Sequence, residues 1–241
     1  MSRFFLDRDT RFFRLRKFLG NNLTMQRPPF VKICCISSIE EAQLSIKLGA
    51  SALGLVSSMP SGPGVIDDRL IAEIAASVPP PIATFLLTAL VEAAAIVEQH
   101  SRCRTSTIQL VDHVELAELR KLRAQLPGIK LVQVIHVCDD GALAQTKRVA
   151  PYVDALLLDS GNPNLAVKEL GGTGRTHDWR LSRQIRDVCG LPLFLAGGLS
   201  ASNVAQAITT VAPFGLDLCS SVRENGKLSA AKLCEFMARI T

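Results

Sequence analysis

The chain has 241 residues, 48% of them hydrophobic and 20% charged, with a formal net charge of +5. That length and apolar content suit one substantial α/β domain better than two small ones. No apolar run reaches the roughly 18 residues that a membrane span needs; the nearest, 79–96, is broken by prolines, Thr84, Thr88 and Glu92.

The charge is concentrated at the start. Residues 1–30 carry Arg3, Arg8, Arg11, Arg14, Arg16, Lys17 and Arg27 against Asp7 and Asp9, so this segment holds the whole net charge. Interleaved with Phe4, Phe5, Phe12, Phe13 and Phe18, it reads as a basic N-terminal extension. A dispensable or docking arm is the favoured reading, ahead of a packed cap, organelle targeting or nucleic-acid contact. Seven cysteines, odd in number and without a CxxC pair, fit free thiols in a reducing, cytoplasmic compartment. The four histidines lack metal-ligand spacing, so no metal site is expected.

From residue 31 onward, apolar β-branched runs alternate with helical periodicity. Strands are expected at Val31–Ile36, Ala52–Ser58, Pro81–Leu87, Thr107–Val111, Lys130–Val137, Ala155–Asp159, Pro192–Ala196 and Gly215–Ser220. The helices between and after them are expected at Ser38–Leu48, Asp67–Ser77, Val91–Ser101, Leu116–Gln125, Gly141–Ala150, Asp178–Cys189, Ala201–Val211 and Ala230–Ile240. Ser38 with Glu41 three residues on, and Asp178 ahead of an apolar pattern, are helix-start signals. Eight βα units in this order predict a single (β/α)8 TIM barrel over residues 31–241. An open doubly wound sheet fits less well, because no GxGxxG follows the first strand.

The chemistry-bearing residues fall at strand ends. In the first strand, alternation points Lys32 and Cys34 to one face and Cys35 to the other. Cys34 is then a candidate general base, with Lys32 as a cation that favours its thiolate, while Cys35 packs under the helices as a small hydrophobe. The sixth strand ends in Asp159, where barrels place catalytic groups. Ser160–His177 is longer than the roughly 12–15 residues of an ordinary connection and is expected to form a lid. After the last two strands, Gly197, Gly198, Ser220 and Ser221 offer backbone N–H groups and hydroxyls for a phosphate. Ser200 or Ser202 is expected to cap the next helix, and Asp112 the one after strand four.

The segments KICCI, GASALG, IQL, ALLLDSG, GGTGRTHDW, LAGGLSASNV and PFGLDLCSSV resemble the phosphoribosylanthranilate isomerase family over essentially residues 31–241. The resemblance implies a (β/α)8 barrel without a cofactor. It also implies an Amadori rearrangement of N-(5′-phosphoribosyl)anthranilate to a carboxyphenylamino-deoxyribulose phosphate in tryptophan biosynthesis. On that reading Cys34 is the general base and Asp159 the general acid. Lys32, Gln109, Gly172 and Arg175 are expected substrate contacts, and Gly197, Gly198, Ser220 and Ser221 the phosphate site. The expected partner is a small phosphorylated molecule, with no metal, nucleic acid or membrane; a homodimer is left open.

The departures cluster at the aromatic end. The family's PKSxR loop, whose arginine engages the anthranilate carboxylate, is replaced by SSMPSGPGVI, with no basic residue before Arg69. QLHG becomes QLVD, with Val111 in the histidine's place; KICG becomes KICC, and the final SSG becomes Cys219, Ser220 and Ser221. Losing the arginine removes charged hydrogen bonds worth roughly 1.5–3 kcal/mol each. Either Arg175 or Lys168 from the lid compensates, or the substrate differs. The alternatives are an isomerase of a sugar phosphate bearing another amine or aglycone, and a non-catalytic phosphate-binding paralogue.

Overall fold

Eight parallel strands pair in sequence order and close on themselves: β1 Phe30–Ile33, β2 Ala52–Val56, β3 Ala83–Thr88, β4 Thr107–Leu110, β5 Lys130–His136, β6 Ala155–Asp159, β7 Leu193–Leu195 and β8 Gly215–Leu218. The computed structural model describes residues 28–240, so the expected arm lies almost wholly outside the described residues. The helices are α1 Ile39–Lys47, α2 Asp68–Ser77, α3 Ala93–Cys103, α4 Leu116–Gln125, α5 Gly141–Val149, α6 Trp179–Cys189, α7 Val204–Val211 and α8 Ala230–Met237. No described helix is long and apolar enough to cross a membrane.

Strand alternation divides the apolar residues into two layers. Ile33, Leu53, Leu55, Leu86, Ile108, Leu156 and Leu158 face outward against Ile71, Ile74, Ile96, Leu119, Ile185 and Phe236 of the helices. Ala52, Val56, Phe85, Leu87, Val132, Val134, Leu157 and Phe194 fill the barrel interior. Lys32 and Asp217, register partners on β1 and β8, also lie inside. Lys32 Nζ is 2.8 Å from both Asp217 carboxylate oxygens, so a buried ion pair spans the strand junction that closes the barrel.

Helix starts follow local chemistry. The side chains of Ser38, Asp67 and Asp178 accept the N–H groups of Glu41, Leu70 and Arg180, which relieves unsatisfied donors at the first turns. Neither Ser200 nor Ser202 caps α7. The helix begins only at Val204, and the two hydroxyls bond each other at 2.9 Å. Asn203 organises that turn instead, accepting the Ser200 N–H and donating to the Gly198 carbonyl. Asp112 does not cap α4 either: its carboxylate accepts the His113 N–H and pairs with Lys168 of the lid. The first strand stops three residues earlier than expected, and this changes the site.

Candidate active site

The C-terminal ends of the strands surround a cleft of about 730 Å³, open to solvent. Its walls include Cys34, Gln109, Val111, Asp159, Asp217 and Ser221. Cys34 follows β1 and stays tied to β8 through its N–H, which donates to the Leu218 carbonyl at 2.7 Å. Its thiol and the Lys32 ammonium both face Gly54, where an added Cβ would lie 2.9 and 3.0 Å from them. Burial works against charge on Lys32, yet the Asp217 carboxylate holds its pKa above the ordinary value. A permanent cation therefore lies beneath the Cys34 thiol.

Asp159 enters from the opposite arc of the barrel. It is 8% exposed, and burial raises its pKa; the Ser160 N–H at 2.7 Å and the charges of His136 and Lys32 oppose that rise. A carboxyl held toward its neutral form can deliver a proton, so the environment suits an acid. Gly171 of the lid lies against it: a Cβ there would fall 2.8 Å from Asp159 Oδ2, at a φ of +139°. A side chain at 171 would displace either the carboxyl or the lid.

The lid lies across the mouth of the cleft. Glu169 and Asn162 form a bridge within it, and the Ser160 and Thr173 hydroxyls bond at 2.7 Å. Ser61 of the loop after β2 donates to the Lys168 carbonyl, and Gly172 abuts Pro63. Arg175 pairs with Glu169, while its backbone packs on Gly197 and Gly198. Among the described residues no lysine or arginine lines the cleft. The two lid cations are both held by carboxylates at its rim.

At the far end, Gly197 and Gly198 close β7, and Ser220–Val222 form one 3-10 turn after β8. The Ser221 hydroxyl is buried without a partner, as is Gln109 Oε1. A buried hydroxyl normally finds a partner, so an orphan on a cleft wall marks where a ligand completes the set.

Of the expected site residues, Cys34, Gln109, Asp159, Gly172, Gly197, Gly198, Ser220 and Ser221 line this one cleft. Lys32 lies under its floor and Arg175 on its rim. One expectation is corrected. Cys35 does not pack under the helices but lines the cleft beside Cys34, because it leaves the strand at a left-handed φ of +62°. Alternation holds only within a strand, and β1 has ended at Ile33. The family pattern's glycine at this position was the available signal, since φ > 0 favours glycine.

Sequence reasoning missed two titratable neighbours, Asp217 and His136. Asp217 was legible as the single charge in the strand GLDL. His136, which closes β5 opposite Asp159, had no marker beyond its position at a strand end.

Comparison with known proteins gives a consistent picture. Residues 31–239 match the family model of N-(5'phosphoribosyl)anthranilate (PRA) isomerase. A relative from Methanosarcina mazei, N-(5'-phosphoribosyl)anthranilate isomerase 2, is 33% identical over 211 residues, covering 87% of this chain and 92% of its own. One from Nostoc punctiforme is 34% identical, covering 80% of this chain and 88% of its own. The crystal structure of phosphoribosyl anthranilate isomerase from Thermotoga maritima superposes with a TM-score of 0.75 at 27% identity, over 88% of this chain and 98% of that one. Another phosphoribosyl anthranilate isomerase, in complex with reduced 1-(o-carboxyphenylamino)-1-deoxyribulose 5-phosphate, gives a TM-score of 0.72 at 25% identity, again over 88% and 98%.

Proposed function

The chain belongs to the N-(5'-phosphoribosyl)anthranilate isomerase family, and from that premise we propose that Cys34 and Asp159 are the base and acid of its reaction. It is an isomerase of tryptophan biosynthesis. Asp159 protonates the ribose ring oxygen as the C1′–O bond breaks, and the anthranilate nitrogen supplies its electron pair to form the iminium. The Cys34 thiolate then removes the C2′ proton; the electrons of that C–H bond flow into the iminium to give an enolamine. Tautomerisation of the enolamine yields the ketose. Positioned acids and bases contribute typically 10²–10⁴-fold each.

The observation that carries this assignment is the convergence on one cleft of a thiol over a buried cation and a buried carboxyl whose pKa burial raises. The orphaned Ser221 hydroxyl supports a phosphate anchor at the other end, with Ser220, Gly197 and Gly198. A phosphate held there orients the sugar through a group that does not react. At the aromatic end, Lys168 takes over the missing arginine's role by exchanging Asp112 for the anthranilate carboxylate. Its support is position: Asp112 adjoins Val111, which lines the cleft where the family pattern has histidine.

The test is a titration with the reduced, unreactive product analogue. Ser221→Ala is expected to weaken binding by about tenfold, the worth of one hydrogen bond to a charged group. Cys34→Ala is expected to bind normally. Unchanged affinity in Ser221→Ala would remove the phosphate site from this end of the cleft.

A further inference from the structure

Three departures from the family pattern meet at one point on the cleft wall. Cys35 follows β1, Cys219 follows β8, and the loop Ser61–Val65 follows β2. The two sulfurs are 2.8 Å apart and hydrogen-bonded, although 184 positions separate them in sequence. Cys35 Sγ also reaches the Pro63 carbonyl at 3.5 Å. The glycine-rich loop is shaped to this thiol: a Cβ on Gly64 would fall 2.4 Å from Cys35 Cβ. Cys35 is buried, whereas Cys219 is partly open to the cleft.

We propose that Cys35 and Cys219 form an oxidant-responsive dithiol, whose disulfide clasps the first and last βα units and switches off the isomerase. The oxidant is a hydroperoxide. The Cys219 thiolate attacks the peroxide oxygen, the O–O bond breaks, and Cys219 becomes a sulfenic acid while the peroxide is reduced. Cys35 sulfur then attacks the sulfenic sulfur. The S–S bond forms, the S–O bond breaks, and the hydroxyl leaves as water with the Cys35 proton. A small-molecule dithiol returns both thiols by exchange.

The surroundings favour this chemistry. The Arg223 guanidinium lies beside the pair and donates to the carbonyls of both Cys34 and Cys35. The hydrogen bond shared with Cys35, aided by the Arg223 charge, holds the Cys219 thiol below its ordinary pKa despite burial. A partly open, low-pKa thiol beside a cation, next to a resolving thiol, is the arrangement of redox-sensing cysteines. The consequence for catalysis is local. Drawing the sulfurs to bonding distance, about 2.05 Å, pulls on the backbone of Cys34 at one end and on the Ser220–Val222 turn at the other. Base and phosphate site are displaced together.

Wild-type protein is treated with hydrogen peroxide, alkylated, digested and mapped by mass spectrometry, with turnover measured before oxidation, after it, and after dithiothreitol. The expected result is a Cys35–Cys219 cross-linked peptide and a fall in turnover of about tenfold or more, the scale a small misplacement beside a reacting group produces, with recovery on reduction. Cys219→Ser is expected to give no such peptide and no dithiothreitol-recoverable loss. A bridge that instead involves Cys34, free thiols at 35 and 219 after peroxide treatment, or a Cys35–Cys219 bridge without loss of turnover would each overturn the proposal. The peptide map does not depend on the role assigned to Cys34.

Discussion

At the scale of single residues, the acid role proposed for Asp159 is set against stability. Burial raises its pKa, so the folded state binds the proton more tightly than the unfolded state does. Its contribution is therefore favourable at low pH and is lost as pH rises through the raised folded pKa. Asp159→Asn removes that loss while keeping an acceptor for the Ser160 N–H. Denaturant unfolding is expected to show the variant near parity with wild type at acid pH and gaining on it as pH rises to neutral. Lower stability at neutral pH would mean that the wild-type carboxyl is ionised there and unsuited to act as an acid. Asp159 itself was legible in the sequence because an apolar run ended in a carboxylate. Cys35 was misread because nothing within KICCI marks the residue at which the strand stops; a left-handed φ is a tertiary outcome.

At the scale of elements, the lid joins the two halves of the cleft. It touches Asp159 through Gly171, the rebuilt β2 loop through Gly172, and Gly197 and Gly198 through the backbone of Arg175. Its length marked it as a candidate lid, since connections beyond about 12–15 residues in compact domains are usually functional or disordered, and residues 170–174 do line the cleft. Its latches were not foreseeable, because the pairing of Lys168 with Asp112 depends on how two distant loops meet. Lys168 is half exposed while Asp112 is buried and also accepts the His113 N–H, so solvent screens the pair from one side and its structural worth is about 1 kcal/mol. Lys168→Ala is accordingly expected to leave thermal stability nearly unchanged and to raise KM by about tenfold, with a smaller effect on kcat. An unaltered KM would leave the anthranilate carboxylate without the partner assigned to it.

At the scale of the whole molecule, β1 and β8 close the barrel through Lys32 and Asp217. The eight-unit order was legible because mostly apolar short runs alternate with segments of 3.6-residue period. The ion pair inside was not, because Lys32 meets Asp217 only through the register of the first strand against the last. Breaking a buried pair from one side strands the other charge, at about 3–5 kcal/mol. Urea unfolding of Lys32→Met is expected to show a loss of that size, and Lys32→Met with Asp217→Leu to regain most of it. Equal losses in both would mean that packing, not charge, matters at this junction.

The assignment of Cys34 and Asp159 makes one thiol and one carboxyl perform the isomerisation. It is tested most directly by the turnover of freshly generated phosphoribosylanthranilate, followed by loss of its fluorescence, in wild type, Cys34→Ala and Asp159→Asn. Wild-type turnover with a fall of at least about 10²-fold in each variant is the expected result. Turnover that survives either substitution would contradict the assignment.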